Sequence, residues 1–337
     1  MHDFASRVIH KQYMYEELKK KLGDKVKENE PLAFYTTYKV GGPADLFYNA
    51  TSIEELEKAI TLARDLNIPF FILGGGSNIL IGDKGFRGLV IKNTSSGISI
   101  NGMTGKMKDS TDKRLVYLKV DSGVPMNKLV RFTIEEGLSG LEMHLGLPGS
   151  VGGAIAMNSK WMKPPGFVGD CLYRALILTP DNELKHVDKA YFHFSYGYSI
   201  LQKNSDVLLQ VIFALEKKDK DALWNQANES ITYRRDSQPQ GVHTAGCIFK
   251  NISPALAITH STPDHQTSAG YLLDKSGCVG LKVGQAEVSD VHANFIITKP
   301  GATASDVIEL IDLMKRNVKK TFGITLLEEI LKIGEFE

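Results

Sequence analysis

The segment TAGCIFKN, residues 244–251, sets one proton-bearing group, the Cys247 thiol, between small residues and the donor-rich pair Lys250 and Asn251. A thiol with an ordinary pKa of about 8.5 is mostly protonated at neutral pH and can act as an acid, whereas a lone cysteine is more commonly a small buried hydrophobe. Both readings of Cys247 stay open on these residues alone. Near the C-terminus LLEEILKIG, residues 326–334, carries Glu328 and Glu329 among apolar residues on alternate sides, the pattern of a strand. A glutamate so placed usually faces water. The third feature is made of backbone. Gly74, Gly75 and Gly76 are followed by Ser77 and Asn78, and GLSGLEMHLGLPGSVGGAIAMN, residues 137–158, holds six glycines and Pro148. Glycine lets the main chain come close to a ligand and take positive φ. Amides exposed in such turns form a concave nest that suits a pyrophosphate. The leucines, Val151 and Ile155 between the glycines argue against a linker, which leaves a ligand wall or a set of tight turns around a buried strand.

The elements that must position these groups follow from periodicity. Residues 13–22 have helical spacing with a charged face. Alternation of Thr, Tyr and Val from Tyr35 predicts a strand that turns at Gly41, Gly42 and Pro43. Ser52 with Glu55 three residues on reads as a helix start, and Phe70 to Leu73 as a short buried strand running into the first glycine cluster. That cluster is not GxGxxG and no long helix follows it, which disfavours a Rossmann fold. Residues 98–120 read as a hairpin with a mobile polar tip at 101–113, residues 125–136 as a helix, 174–188 as a hairpin, 207–215 as a strand and 217–233 as a charged helix. In the last third we expect a helix over 269–276, a strand from Val288 to Ile297 and a long amphipathic helix from Ala304 to Phe322.

With 337 residues the chain is long enough for two or three domains. The expected boundaries are 1–92, 93–218 and 219–337. Lys and Arg number 40 against 39 Asp and Glu, so no basic field supports nucleic-acid binding. No apolar run reaches the length that spans a bilayer and no signal pattern opens the chain, which points to a cytoplasmic protein without membrane attachment. Three cysteines, Cys171, Cys247 and Cys278, lack metal-type spacing, and the nine histidines form no HExxH, so reduced thiols and no metal site are expected.

TYKVGGPA (37–44), LGGGSNIL (73–80), PGSVGGA (148–154), Gln238-Pro239, GCIFKN (246–251), residues 289–295 and residues 326–334 stand in one order. As a set they resemble the UDP-N-acetylenolpyruvoylglucosamine reductases, the MurB family, over about residues 30–335. The resemblance implies an α+β chain. Its vanillyl-alcohol-oxidase/PCMH-type FAD-binding domain would consist of two α/β subdomains, followed by a C-terminal α+β substrate domain. FAD would be held by Val40, Gly41, Gly74, Gly75, Gly76, Ser77, Asn78, Pro148, Gly149, Ser150, Gly152, Gly153 and Ala154. NADPH would reduce the flavin, and hydride would pass from it to the enolpyruvyl ether of UDP-N-acetylglucosamine, giving UDP-N-acetylmuramate for peptidoglycan. In the family a serine donates the matching proton, and Cys247 stands at its position. The family's C-terminal glutamate maps to Glu329, with Glu328 in reserve. Tyr196, Arg235, Gln238, Lys250 and Asn251 would serve the substrate. Nothing in the chain suggests an obligate oligomer, so a monomer is expected.

One departure is large. Where the family has arginine in a Tyr-Arg-x-Ser motif, this chain has Tyr196-Gly197-Tyr198-Ser199, and the segment after Asn158 is altered to SKWMKPP, residues 159–165. Lys160 or Lys163 is the expected replacement for the missing charge. Two other readings remain: a same-fold FAD oxidase of a small alcohol, and a flavin-binding or nucleotide-sugar-binding homologue with impaired catalysis.

Overall fold

The computed structural model describes residues 2–103, 115–162 and 165–336. Most of the polar tip expected at 101–113, and Lys163, lie outside the described residues. The chain separates into two compact units, each assembled from discontinuous segments. One comprises Met1–Glu28, Leu46–Gly75 and Gly88–Tyr233, the other Asn29–Asp45, Gly76–Arg87 and Arg234–Glu337.

In the first unit, helix α1 (His2–Leu22) leads to strands β1 (Val26–Pro31) and β2 (Pro43–Ala50). Helix α2 (Ile53–Asp65) begins where the sequence marks it: the Ser52 side chain accepts from the Glu55 amide at 3.2 Å, and Glu55 accepts in turn from the Thr51 amide at 2.9 Å. Strands β3 (Phe70–Leu73) and β5 (Phe86–Asn93) follow, and the first sheet runs β1-β2-β5-β3; the three-residue strand β4 (Ile79–Ile81), between them in sequence, belongs to the second unit. Strands β3 and β5 are parallel, with Phe70 opposite Leu89 and Leu73 opposite Lys92. Leu56, Ala59, Ile60 and Ala63 of α2 are fully buried in a core shared with Leu46, Leu89 and Ile91. Each such leucine or isoleucine contributes roughly 1.5–3 kcal/mol on burial.

A second sheet in this unit is antiparallel. It runs Leu184–Asp188, Leu172–Leu178, Val207–Lys217, β7 (Leu115–Asp121) and β6 (Ile98–Met103), with Leu138–Ser139 added beside the end of Val207–Lys217. Against it packs α3 (Met126–Glu135), whose Leu129, Val130 and Ile134 are fully buried, followed by the short α4 (Val151–Ala156).

The second unit is built around the helix Ala304–Phe322. Thr303 and Asp306 cap it reciprocally, and Gly323 at φ +72 ends it. Such a C-cap favours glycine, the residue without a Cβ penalty in this conformation. Its buried face, Val307, Leu310, Ile311, Met314 and Val318, shares a core with Ile248, Phe249, Leu272 and Ile296.

One expected strand is replaced by a turn and another is split by one. Between Thr36 and Gly42 the chain is irregular, because the Thr36 hydroxyl bonds the Val40 carbonyl at 3.1 Å and Lys39 sits at φ +58. The run expected as one strand from Val288 to Ile297 is two, Ala286–Val288 and Ile296–Thr298. The Ser289 hydroxyl accepts from the Val291 and His292 amides at 3.1 and 3.3 Å and folds the intervening residues into a turn.

Candidate active site

Two glycine turns meet inside the first unit. A Cβ on Gly75 would collide with the Gly149 Cα, and one on Gly74 with the Ser150 hydroxyl. Only glycine permits this approach. The amides of Gly75, Gly76 and Ser77 donate to no partner among the described residues, so the turn after β3 keeps uncommitted donors, as an anion nest requires. The second turn is more self-contained. The Ser150 hydroxyl accepts from the Gly153 amide, the Gly152 amide donates to the Ser122 carbonyl at 2.7 Å, and Ala154 donates to the Ser150 carbonyl. Gly152, Gly153 and Ala154 thus shape a wall, while the amides of Gly149 and Ser150 stay without partners among the described residues. Pro148 beside them is exposed. The uncommitted amides of Gly75, Gly149 and Ser150, on two closely packed turns of the first unit, fit a dinucleotide's pyrophosphate.

From α4 the chain passes through Asn158, which is buried and takes positive φ; its side chain donates to the Ser195 carbonyl and accepts from the Gly169 amide. The turn at Tyr196 and Gly197 is strapped to α4 by Ser199 and Gln202, which both donate to the Ala156 carbonyl at 2.8 and 2.7 Å. Gly197 is buried at φ +61 and carries no side chain where a charge was expected. The Lys160 ammonium lies 5.1 Å from the centre of the Tyr196 ring and 5.8 Å from that of Phe167. A cation therefore stands over the residue that adjoins Gly197, held by ring faces.

In the second unit the segment 247–250 runs beside two others. Cys247 bridges to Phe295 and Phe249 to Glu328, the Lys250 amide donates to the Leu327 carbonyl, and the Glu329 amide donates to Ile248 at 2.7 Å. Cys247 and Glu329 are neighbours. Burial pushes the Cys247 thiol up to about 12, and the Glu329 charge acts in the same direction; Arg234 and a hydrogen bond with Asn294 oppose it. Burial also raises the Glu329 carboxyl, with Lys250 pulling the other way. Two half-buried groups whose charged forms are both disfavoured by burial thus stand together. Glu328 differs. Burial alone would raise it, but hydrogen bonds and ion pairs from Lys315 and Lys332, the latter at 3.0 Å, outweigh that and hold it below the usual carboxylate range.

Three residues of this cluster had no assigned role in the sequence reading, or a different one. Asn294, 2% exposed, accepts from the Phe249 amide at 2.9 Å and donates to the Phe249 carbonyl at 2.8 Å, while its own carbonyl accepts from Ile248. His292 accepts from the Asn294 amide through Nδ1 at 3.2 Å, and burial lowers its pKa, so the ring is neutral. Asn78, expected to face a cofactor, donates its side-chain amide to the Glu329 carbonyl at 3.1 Å and accepts the Leu331 amide at 3.0 Å. Its strand β4 pairs in parallel with Leu331–Ile333. Asn78 and β4 thus belong with the backbone that carries Glu329 in the second unit.

The remaining expected residues fall as follows. Gly41 packs against Ile81, where a Cβ would sit 2.8 Å from that residue's Cβ, and Val40 is buried in the core. The Asn251 carbonyl oxygen accepts the Ala269 amide at the start of a helix. Arg235 is exposed and pairs with the adjacent Asp236 at 3.0 Å, and Gln238 closes the helix Lys220–Ser237.

Residues 44–188 match the model of an FAD binding domain, and residues 238–333 that of the UDP-N-acetylenolpyruvoylglucosamine reductase C-terminal domain. The chain is 35% identical to a UDP-N-acetylenolpyruvoylglucosamine reductase of Halalkalibacterium halodurans over 92% of its length and 95% of that protein. It is 34% identical to that of Bacillus subtilis, covering 95% and 97%. Among solved structures it resembles the reductase MurB from Thermus caldophilus, with a TM-score of 0.70, 30% identity and coverage of 91% and 98%.

Proposed function

The chain belongs to the UDP-N-acetylenolpyruvoylglucosamine reductase family, and on that premise we propose that Cys247 is the proton donor of its reaction, with Glu329 as the carboxyl that keeps the thiol protonated. The enzyme is an FAD-dependent oxidoreductase of α+β fold. Its reductant is NADPH and its substrate the enolpyruvyl ether of UDP-N-acetylglucosamine, which becomes UDP-N-acetylmuramate for peptidoglycan. We read the enzyme as working in the cytoplasm as a monomer.

The amides of Gly75, Gly76, Ser77, Gly149 and Ser150 would hold FAD, which when bound would supply the hydride for the methylene carbon of the enolpyruvyl group. The electron pair of the double bond then resides on the carbon alpha to the carboxylate. Cys247 transfers its proton to that carbon, completing the saturated lactyl ether and leaving a thiolate that is reprotonated from solvent. A thiol held near 12 gives its proton only to a strong base such as this carbanion. Lys160 over Tyr196 supplies a positive charge for the substrate carboxylate, in the place left by Gly197. Lys250, close enough to act on Glu329, is read as a phosphate or sugar contact, with Tyr196, Arg235, Gln238 and Asn251 as softer members of the same set.

The observation that carries the proposal is the pairing of Cys247 with Glu329, in which burial raises the pKa of both groups. Anaerobic half-reactions test it. The Cys247→Ala enzyme should be bleached by NADPH at the wild-type rate and re-oxidised by the enolpyruvyl nucleotide about 10²–10⁴-fold more slowly. Equal slowing of both halves, or of neither, contradicts the acid role. Bleaching by a simple alcohol would mark an oxidase instead, and wild-type protein that is bleached by NADPH but never re-oxidised by the nucleotide would mark an impaired homologue.

A further inference from the structure

Lys92 is the last residue but one of β5, opposite Leu73 in the parallel pair, so its side chain reaches the first glycine turn as that turn leaves β3. Its ammonium donates to the Gly74 carbonyl. No carboxylate pairs with it among the described residues, and burial lowers its pKa with no anion opposing the shift. An ammonium withdrawn from water is normally compensated by a negative group, and here a single neutral carbonyl does that work. The same contact has a second consequence. In a trans peptide the carbonyl of one residue and the amide of the next point in opposite directions, so a Gly74 carbonyl held by Lys92 turns the Gly75 amide away from Lys92. That amide has no partner among the described residues. Gly74 and Gly75 carry no side chain of their own that could fix that peptide plane, and they lie against Ser150 and Gly149.

We propose that Lys92 is a positioning residue of the cofactor site: it locks the Gly74–Gly75 peptide with the Gly75 amide presented to the FAD pyrophosphate, and it is the cation of a site whose other donors are uncharged amides. It does not touch the reacting atoms. A lysine that merely completes the sheet would alter melting temperature without altering cofactor retention.

The test compares the holoenzymes of wild type, Lys92→Met and Lys92→Arg. Free FAD is measured by recovery of its fluorescence on serial dilution, with riboflavin, which lacks the pyrophosphate, as a second ligand for protein stripped of flavin by salt. Lys92→Met should raise the FAD dissociation constant about tenfold and leave riboflavin affinity within about twofold, and Lys92→Arg should restore FAD affinity to within about threefold of wild type. Unchanged FAD affinity in Lys92→Met, or parallel losses for FAD and riboflavin, would overturn the proposal. Should Lys92→Met fail to fold, Lys92→Gln, which keeps an N–H donor and loses the charge, takes its place. FAD affinity equal to wild type in Lys92→Gln at both low and high salt would remove the charge from the assignment and overturn it as stated.

Discussion

At the glycine turns of the first unit the working groups are main-chain amides, and what matters there is the absence of side chains: Gly75 lies on Gly149 and Gly74 on Ser150. At the Cys247 segment of the second unit the working groups are side chains, and what matters is the removal of water, which raises both the thiol and the Glu329 carboxyl. The first kind of site is broken by adding atoms and the second by taking them away. A nest of amides is also indifferent to pH, whereas a pair of dehydrated acids is defined by how it titrates. The two regions should therefore respond in opposite ways to the same style of substitution.

The largest effect is expected at the turns. Gly75→Val places a branched side chain against the Gly149 backbone. It should cost about 3 kcal/mol of stability and yield colourless protein, read from the flavin absorbance of the purified enzyme and from thermal melts. Yellow, stable Gly75→Val protein would break the contrast at its first term. Next is Asn294→Ala in the second unit, which strips the Phe249 amide and carbonyl of their partner. We expect about 2 kcal/mol lost from two unpaired buried groups, full flavin content, and about tenfold slower re-oxidation by the enolpyruvyl nucleotide. Lys160→Met should weaken binding of that substrate about fivefold, in line with about 1 kcal/mol for a cation held by aromatic faces, with flavin reduction by NADPH unchanged. Equal substrate affinity would sever Lys160 from the site. Smallest is Glu328→Gln. Its partners Lys315 and Lys332 reach a partly exposed ion pair, worth about 0–1 kcal/mol, and re-oxidation should change by less than about twofold, which separates it from its neighbour Glu329.

Much of the first region was legible in the sequence because its rules are local. Ser52 with Glu55, and the glycine clusters at 74–76 and 146–153, act within a few residues of themselves. The second region was legible only in its chemistry. Cys247 and Glu329 could be named, but the groups that hold them come from far along the chain: Asn294 lies 45 residues from Phe249, and Asn78 lies 251 from Glu329. No periodicity records such pairings. The same blindness explains the expected strand that is replaced and the one that is split. Alternating side chains at 35–40 and 288–297 satisfied the strand pattern, while hydroxyls at Thr36 and Ser289 offered the backbone a nearer partner. Choosing between Glu328 and Glu329 likewise needed Lys315, a residue on another element.

The most direct test of the contrast is the rate of anaerobic re-oxidation of the reduced wild-type enzyme by the enolpyruvyl nucleotide, followed from pH 7.5 to pH 10. A raised thiol pKa favours the protonated, proton-donating form, so the loss of rate belongs on the alkaline side and begins only as pH nears about 12. The rate should therefore stay flat across the whole range. A fall beginning near pH 8.5 and approaching tenfold per unit, absent in Cys247→Ser, would show a water-exposed thiol of ordinary acidity and contradict the dehydrated Cys247–Glu329 pair.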